Sequence, residues 1–255
     1  MLRIICTFCL VVVMLLCGGV AQAGQLGDRL AQFPHWADKP PVSAAEGDLV
    51  YPEWMEGTWN VTSTLVDLVA PLAPDVVTPG FESNRRYLND PVTFPVRFVK
   101  ASLFTQRQVI LPLKVHTGVV ADRAFNGLSI ARTYLGDRAV ASVKVDPNSP
   151  NRQITLLRGD RQLVSVVTGR SSETPDSDNF IATEVSQQIF RGTPQLYFNV
   201  VETTTAYKLI NSPDRVINAD QVTAIYLSPQ DPDYFKAVER PVALYRYQLQ
   251  LMPVE

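Results

Sequence analysis

The stretch Tyr51-Pro52-Glu53-Trp54-Met55-Glu56-Gly57-Thr58-Trp59-Asn60-Val61-Thr62-Ser63-Thr64-Leu65 decides how this chain reads. As far as Glu56 it is broken by proline, charge and bulky aromatics. From Gly57 it alternates. Trp59, Val61, Ser63 and Leu65 share one side, and Thr58, Asn60, Thr62 and Thr64 the other. A period of two with one apolar face marks a strand packed on one side and wet on the other. The far end of the chain repeats the pattern, with Ala243, Tyr245, Tyr247, Leu249 and Leu251 opposite Arg246, Gln248 and Gln250.

Between these two segments, runs rich in Val, Thr, Ile and Tyr are separated by Gly, Pro, Asn and Asp. They predict strands near 57–68, 92–101, 107–113, 138–146, 152–158, 161–169, 180–190, 195–208, 217–228 and 242–252. Asp146 to Asn151 and Arg158-Gly159-Asp160-Arg161 are short turns, so the strands they join should be antiparallel neighbours. Ala121, Phe125, Leu128, Ile130, Ala131 and Leu135 follow helical spacing up to Gly136, which predicts one helix over 121–135. Residues 69–91 form a long connection and 170–179 a solvated loop. About ten strands are too many for a flat sheet. The expected fold is therefore mainly all-β: a closed antiparallel barrel of about 8–10 strands with one inserted helix, spanning 51–255 as a single domain.

Residues 24–50 read as an arm outside the core. Leu26, Leu30 and Phe33 suit one short amphipathic helix, which Lys39-Pro40-Pro41 then breaks. Ahead of the arm, residues 1–23 read as a secretory signal. Arg3 supplies the positive end, Ile4 to Leu16 the apolar stretch, and Ala21-Gln22-Ala23 a small-x-small cleavage site before Gly24. The apolar stretch is short of the ~20 residues that span a bilayer. A lipid anchor on Cys17 is a rival reading, set against Leu16, where a small residue is wanted. Cys6, Cys9 and Cys17 all lie in the leader, so cleavage leaves 232 residues without a thiol: no disulfide, no cysteine nucleophile, no cysteine-bound zinc. With 23 Lys+Arg against 25 Asp+Glu, the chain lacks the basic excess of a nucleic-acid binder.

Gly57-Thr58-Trp59 at the first strand resembles the Gly-x-Trp signature of lipocalin-like (calycin) barrels. The resemblance implies that Gly57 permits a sharp entry and that Trp59 plugs the closed end beneath an arginine of the last strand. Arg246 is the only basic residue there, although alternation puts it on the face away from the apolar run. Residues 51–65, with Thr78-Pro79-Gly80-Phe81 and Asn84-Arg85-Arg86-Tyr87-Leu88, are similar to an uncharacterised family of exported cyanobacterial and plastid proteins. That likeness implies the thylakoid lumen or periplasm and carries no activity.

Little in the sequence points to catalysis. There are two histidines, His35 and His116, too few for an ordinary histidine metal site, and no Gly-x-Ser-x-Gly elbow. Asp176-Ser177-Asp178-Asn179 with Glu184 lacks calcium-loop spacing. Arg158-Gly159-Asp160 is a turn, and Asn60-Val61-Thr62 matches a glycosylation sequon only formally. An enzyme built on Asp67 or Glu202 has no base at readable spacing. No metal and no cofactor are expected.

The aromatic residues point elsewhere. From Phe94, Phe98, Phe104, Phe180, Phe190, Tyr197, Phe198, Tyr226, Tyr245 and Tyr247, we expect Phe98, Tyr197, Phe198, Tyr226, Tyr245 and Tyr247 to line a cavity for an apolar molecule. Arg85 and Arg86 would lie on a loop at its mouth, able to meet an anionic group. The expectation is a non-enzymatic exported binder of a pigment, quinone or lipid. The alternative is an assembly protein whose barrel is filled and whose loops meet a protein partner.

Overall fold

The computed structural model describes residues 24–103, 116–192, 197–211 and 215–254. Its strands are β1 (Ser43–Ala44), β2 (Val50–Tyr51), β3 (Gly57–Val69), β4 (Pro91–Leu103), β5 (His116–Ala121), β6 (Val140–Asp146), β7 (Ser149–Leu157), β8 (Gln162–Glu173), β9 (Asn179–Arg191), β10 (Tyr197–Ile210), β11 (Val216–Leu227) and β12 (Ala243–Pro253). Eleven follow one antiparallel path, β2-β5-β4-β3-β12-β11-β10-β9-β8-β7-β6, while β1 pairs off it with β8. From β6 to β12 each strand lies beside the next in sequence, as the short turns require. Leu157 meets Arg161 across a short loop, residues 158–160, in which Gly159 and Asp160 both have positive φ (75° and 55°).

The sheet curls into a half-barrel and does not close, which corrects the expectation of a closed barrel. Its path ends at β2 and β6, which do not pair. Two features keep the ends apart. β2 is two residues long and is followed by Pro52, which has no N–H to extend a ladder. The link from β5 to β6 is helix α3 (Arg123–Leu135), which packs on β4 at one side and on β6 and β7 at the other. A helix therefore stands where a barrel would have had strand pairing.

Four α-helices occur among the described residues: the short one expected in 24–50, α1 (Gln25–Ala31), the inserted one, α3, and two not expected, α2 (Phe81–Asn84) and α4 (Tyr234–Ala237). The helix expected over 121–135 starts two residues later, because Ala121 still pairs with Phe98 in β5. Asp122 caps it, its carboxylate accepting the Phe125 N–H at 3.0 Å. The strand expected at 107–113 and Phe104 lie outside the described residues.

Residues 24–50 are not a detached arm. Leu26, Leu30 and Trp36 are buried against Ile181, Val222, Ala224, Tyr226 and Leu244 on the convex face of the sheet. Alternation with one wet side leaves that apolar patch facing water, and α1 is what covers it. The concave face carries the other large cluster, including Met55, Trp59, Val61, Phe94, Phe98 and Leu251.

Candidate ligand cavity

The floor of the half-barrel follows from Gly57 and Trp59. Gly57 has φ +130°, a conformation that a side chain disfavours. The chain turns there so that Trp59 points inward, 1% exposed, with its indole N–H donating to the Met55 carbonyl at 2.8 Å. The cation over the indole is not Arg246. Arg215, from the β10–β11 connection, lies 5.6 Å from the ring centroid and donates to the Trp54 carbonyl at 2.8 Å. Arg246 faces outward, bidentate on Asp220 at 2.9 and 2.6 Å and 5.4 Å from the Phe33 ring. β12 does shift register between Arg246 and Tyr247, yet this does not bring the guanidinium inward.

Above the indole, Tyr51 packs edge-on to Phe98 with ring centroids 4.8 Å apart and meets Tyr207 at 6.3 Å. A cavity of about 290 Å³ opens over them. Its walls include Phe94, Phe98, Tyr207 and Tyr247 of the sheet, and Ile130 and Tyr134 of α3. A second hollow of about 310 Å³ continues it, lined by Leu65, Val92, Ile225 and Tyr245 among others, and shares Ser63, Tyr134, Thr223 and Tyr247 with the first. Buried Phe81 of α2 closes the far end against Tyr245, and Asn84 donates to the Tyr245 hydroxyl at 3.2 Å. The space is apolar and aromatic with a few hydroxyl and amide groups, the usual make-up of a small-molecule pocket.

Burial keeps Tyr51, Tyr207 and Tyr247 neutral hydrogen-bonding groups. Burial pushes the Tyr207 phenol up to about 12 and raises Tyr247 as well. Beside Tyr51 sits a strongly charged cluster. Glu184 accepts from Arg123 at 2.7 Å and from Arg170 at 2.6 and 2.9 Å. Burial alone would raise the Glu184 carboxyl, but the two guanidiniums outweigh it and hold it below its ordinary value. Arg170 also donates to Asn151 and to the Glu46 and Gly47 carbonyls, so this cluster joins β7, β8, β9, α3 and the 46–48 segment.

Helix α3 roofs the cavity on polar fastenings. Arg97 of β4 pairs with the capping carboxylate of Asp122 at 2.6 Å. Asn126 takes both backbone groups of Arg97, accepting its N–H at 2.6 Å and donating to its carbonyl at 3.1 Å. On the other side Gly127 lets the Gln153 amide approach; a Cβ there would meet its nitrogen at 2.7 Å.

The structure gathers only part of the expected site. Phe98, Tyr245 and Tyr247 line the hollows. Tyr197 shares their face of the sheet but packs on Phe190 with centroids 5.8 Å apart, outside both hollows. Phe198 alternates to the opposite face. Tyr226 is on the convex side under α1, its hydroxyl donating to Glu202 at 2.7 Å. Arg85 pairs with Glu82 on the surface and Arg86 sits on Tyr87; neither lines the cavity. Tyr51, Tyr134 and Tyr207 do line it and went unread. Tyr207 was legible from the alternation of β10, whereas Tyr51 and Tyr134 reach the cavity only because β2 and α3 fold over the sheet.

Residues considered for chemistry have structural settings. Glu202 is fully buried in the bidentate grip of Arg29, and Asp67 is exposed. His35 is exposed. Asp176 accepts from the Asp178 and Asn179 backbone N–H groups and from the Asn179 side-chain amide, which makes the loop a hydrogen-bonded turn. Among the described residues no three His, Cys, Asp or Glu side chains converge as a metal site, and no helix is long and apolar enough to cross a membrane.

Neither the curated proteins nor the solved structures offer a match to this chain. A family match covers residues 43–255, the sheet from β1 onward, and on it the chain belongs to the family described as Domain of unknown function (DUF6816).

Proposed function

We propose that this protein is a non-enzymatic, exported binder of an apolar ring-bearing small molecule, a pigment, quinone or lipid, held between the curled sheet and α3. The observation that carries the reading is the pair of joined hollows, about 290 and 310 Å³, walled by aromatic side chains. Each is at the small end of the range for ligand pockets, about 300–1,000 Å³. Ring faces supply contact area, while the neutral tyrosine hydroxyls donate to a carbonyl or ether without charge. A lumenal or periplasmic location follows from the leader and from the likeness to exported cyanobacterial and plastid proteins.

The test is extraction of the protein purified from its native host with organic solvent, followed by mass spectrometry, alongside titration of the recombinant chain with an apolar fluorescent dye. A stoichiometric small molecule, and dye binding abolished by Thr223→Trp, are the expected results. An empty native protein that also ignores the dye overturns the reading. Cross-linking to one protein at the loops would then favour the assembly role.

A further inference from the structure

The carboxylate of Glu173 ends β8 against the first turn of α1. Its Oε1 accepts the Leu26 N–H at 3.1 Å. Its Oε2 is buried and has no hydrogen-bond partner among the described residues. Leaving a carboxylate oxygen unsatisfied away from water is costly, and such orphans call for an explanation. The same group lies directly on Gly24: a Cβ built there would strike Oε2, with Cδ at 2.6 Å. The Gly24 nitrogen is bonded to that Cα, so it is within ion-pair reach of the orphaned oxygen. Independently, the small-x-small motif Ala21-Gln22-Ala23 places the scissile bond of the leader at this residue.

We propose that Glu173 is a receptor for the new N-terminus: cleavage between Ala23 and Gly24 frees an α-ammonium that pairs with Oε2. Hydrolysis adds water across the Ala23–Gly24 peptide bond, leaving a carboxylate on the leader and the ammonium on Gly24. Before cleavage that nitrogen is a neutral amide with one N–H. Afterwards it is a cation with three donors beside a buried acceptor, and charge-assisted hydrogen bonds are the stronger kind. Glycine leaves the carboxylate room at this position, whereas a Cβ would push it aside. Removal of the leader thereby tightens α1 on the sheet, so the processed chain is the more stable form. The inference rests on the export reading and is independent of the cavity.

Two measurements test it. Intact-mass analysis of the protein from its native host should find Gly24 first; any other terminus overturns the proposal together with the cleavage site on which it rests. Separately, the recombinant chain released from a fusion so that it begins at Gly24 is compared in thermal melts with one carrying a single added alanine. The extension should lower Tm by about 3 °C, the shift expected for roughly 1 kcal/mol in a chain of this size. In the Glu173→Gln background the two melts should coincide. Equal melting of the two forms with Glu173 intact overturns the pairing even if Gly24 is the natural terminus.

Discussion

The two main helices over the sheet, α1 on the convex face and α3 on the concave, are held by opposite means. α1 is seven residues long, yet it sinks Leu26 to 1% and Leu30 to 6% exposure. Between them it carries Arg29, whose Nε and Nη2 grip Glu202 at 2.7 and 2.8 Å; Nη2 also reaches the Tyr226 hydroxyl at 3.0 Å and the Asp38 carbonyl at 2.7 Å. Thr204 donates to the same carboxylate, and the guanidinium lies 4.0 Å over Trp36. α3 is almost twice as long and has no buried residue; Ile130, Tyr134 and Leu135 are 38–54% exposed. Its fastenings are polar and sit at its N-terminal half. A helix sealed on one face and a helix clipped over a hollow on the other make the two sides of the sheet unlike.

The sharpest break in that contrast comes from the buried pair. Glu202→Ala leaves Arg29 charged, desolvated and unpaired, and should cost about 3–5 kcal/mol in urea unfolding. The double variant Arg29→Met, Glu202→Leu removes both charges and should recover part of the loss, because no desolvated charge is left, while the Thr204 and Tyr226 hydroxyls lose the carboxylate they donate to. If Glu202→Ala costs under about 1 kcal/mol, the grip is decorative and α1 is held by its apolar contacts alone.

Those contacts come next in size. Leu26→Ala should cost about 3 kcal/mol, as for a leucine removed from a closed core. Leu135→Ala on α3 should stay within about 0.5 kcal/mol, as for a surface site. Comparable losses at the two positions would erase the distinction.

The strands were largely readable because alternation reports which residues share a face; Trp59, Val61, Ser63, Tyr245 and Tyr247 do lie together. The sequence is silent on which covers close over those faces. Tyr226 is expected in the cavity, yet with Val222 and Ala224 it faces the other way, where α1 makes all three core. Strand number and the Gly-x-Trp resemblance both point to a closed barrel, but neither reports on its ends. Whether ends meet depends on what lies between them, and α3 occupies that place. Arg246 was chosen as the partner of Trp59 for being in the last strand, while the actual cation, Arg215, comes from a connection with no periodic signal. Tyr51 and Tyr134 escape the sequence for the same reason: they belong to elements that fold across the sheet, and alternation describes only the sheet.

The concave cluster adds a pH-dependent difference. Glu184 is held below its ordinary value of 4.5 by Arg123 and Arg170, so its contribution to stability is present at neutral pH. It is lost as pH falls through the depressed folded value, where the carboxylate takes up a proton. Glu184→Gln should therefore be less stable than the native chain at pH 7, by about 2 kcal/mol for a charge-assisted contact, and the two stability curves should converge on acidification. Parallel curves from pH 7 to pH 3 would mean that the unfolded chain protonates this group as readily as the folded one.

A modest stability change should have the clearest functional readout. Asp122→Ala removes the cap of α3 and its pairing with Arg97, which should cost about 1 kcal/mol. If α3 must lift for a molecule to leave the hollow, that energy comes off the opening step, and a bound apolar dye should dissociate about fivefold faster. Leu26→Ala, far more destabilising overall, should leave the same rate unchanged, because α1 does not touch the hollow. Stopped-flow displacement of the dye separates the two cases. A faster rate in both variants would mean that exit follows global loosening, and a faster rate in neither would place the exit at the α2 end, past Asn84 and Tyr87.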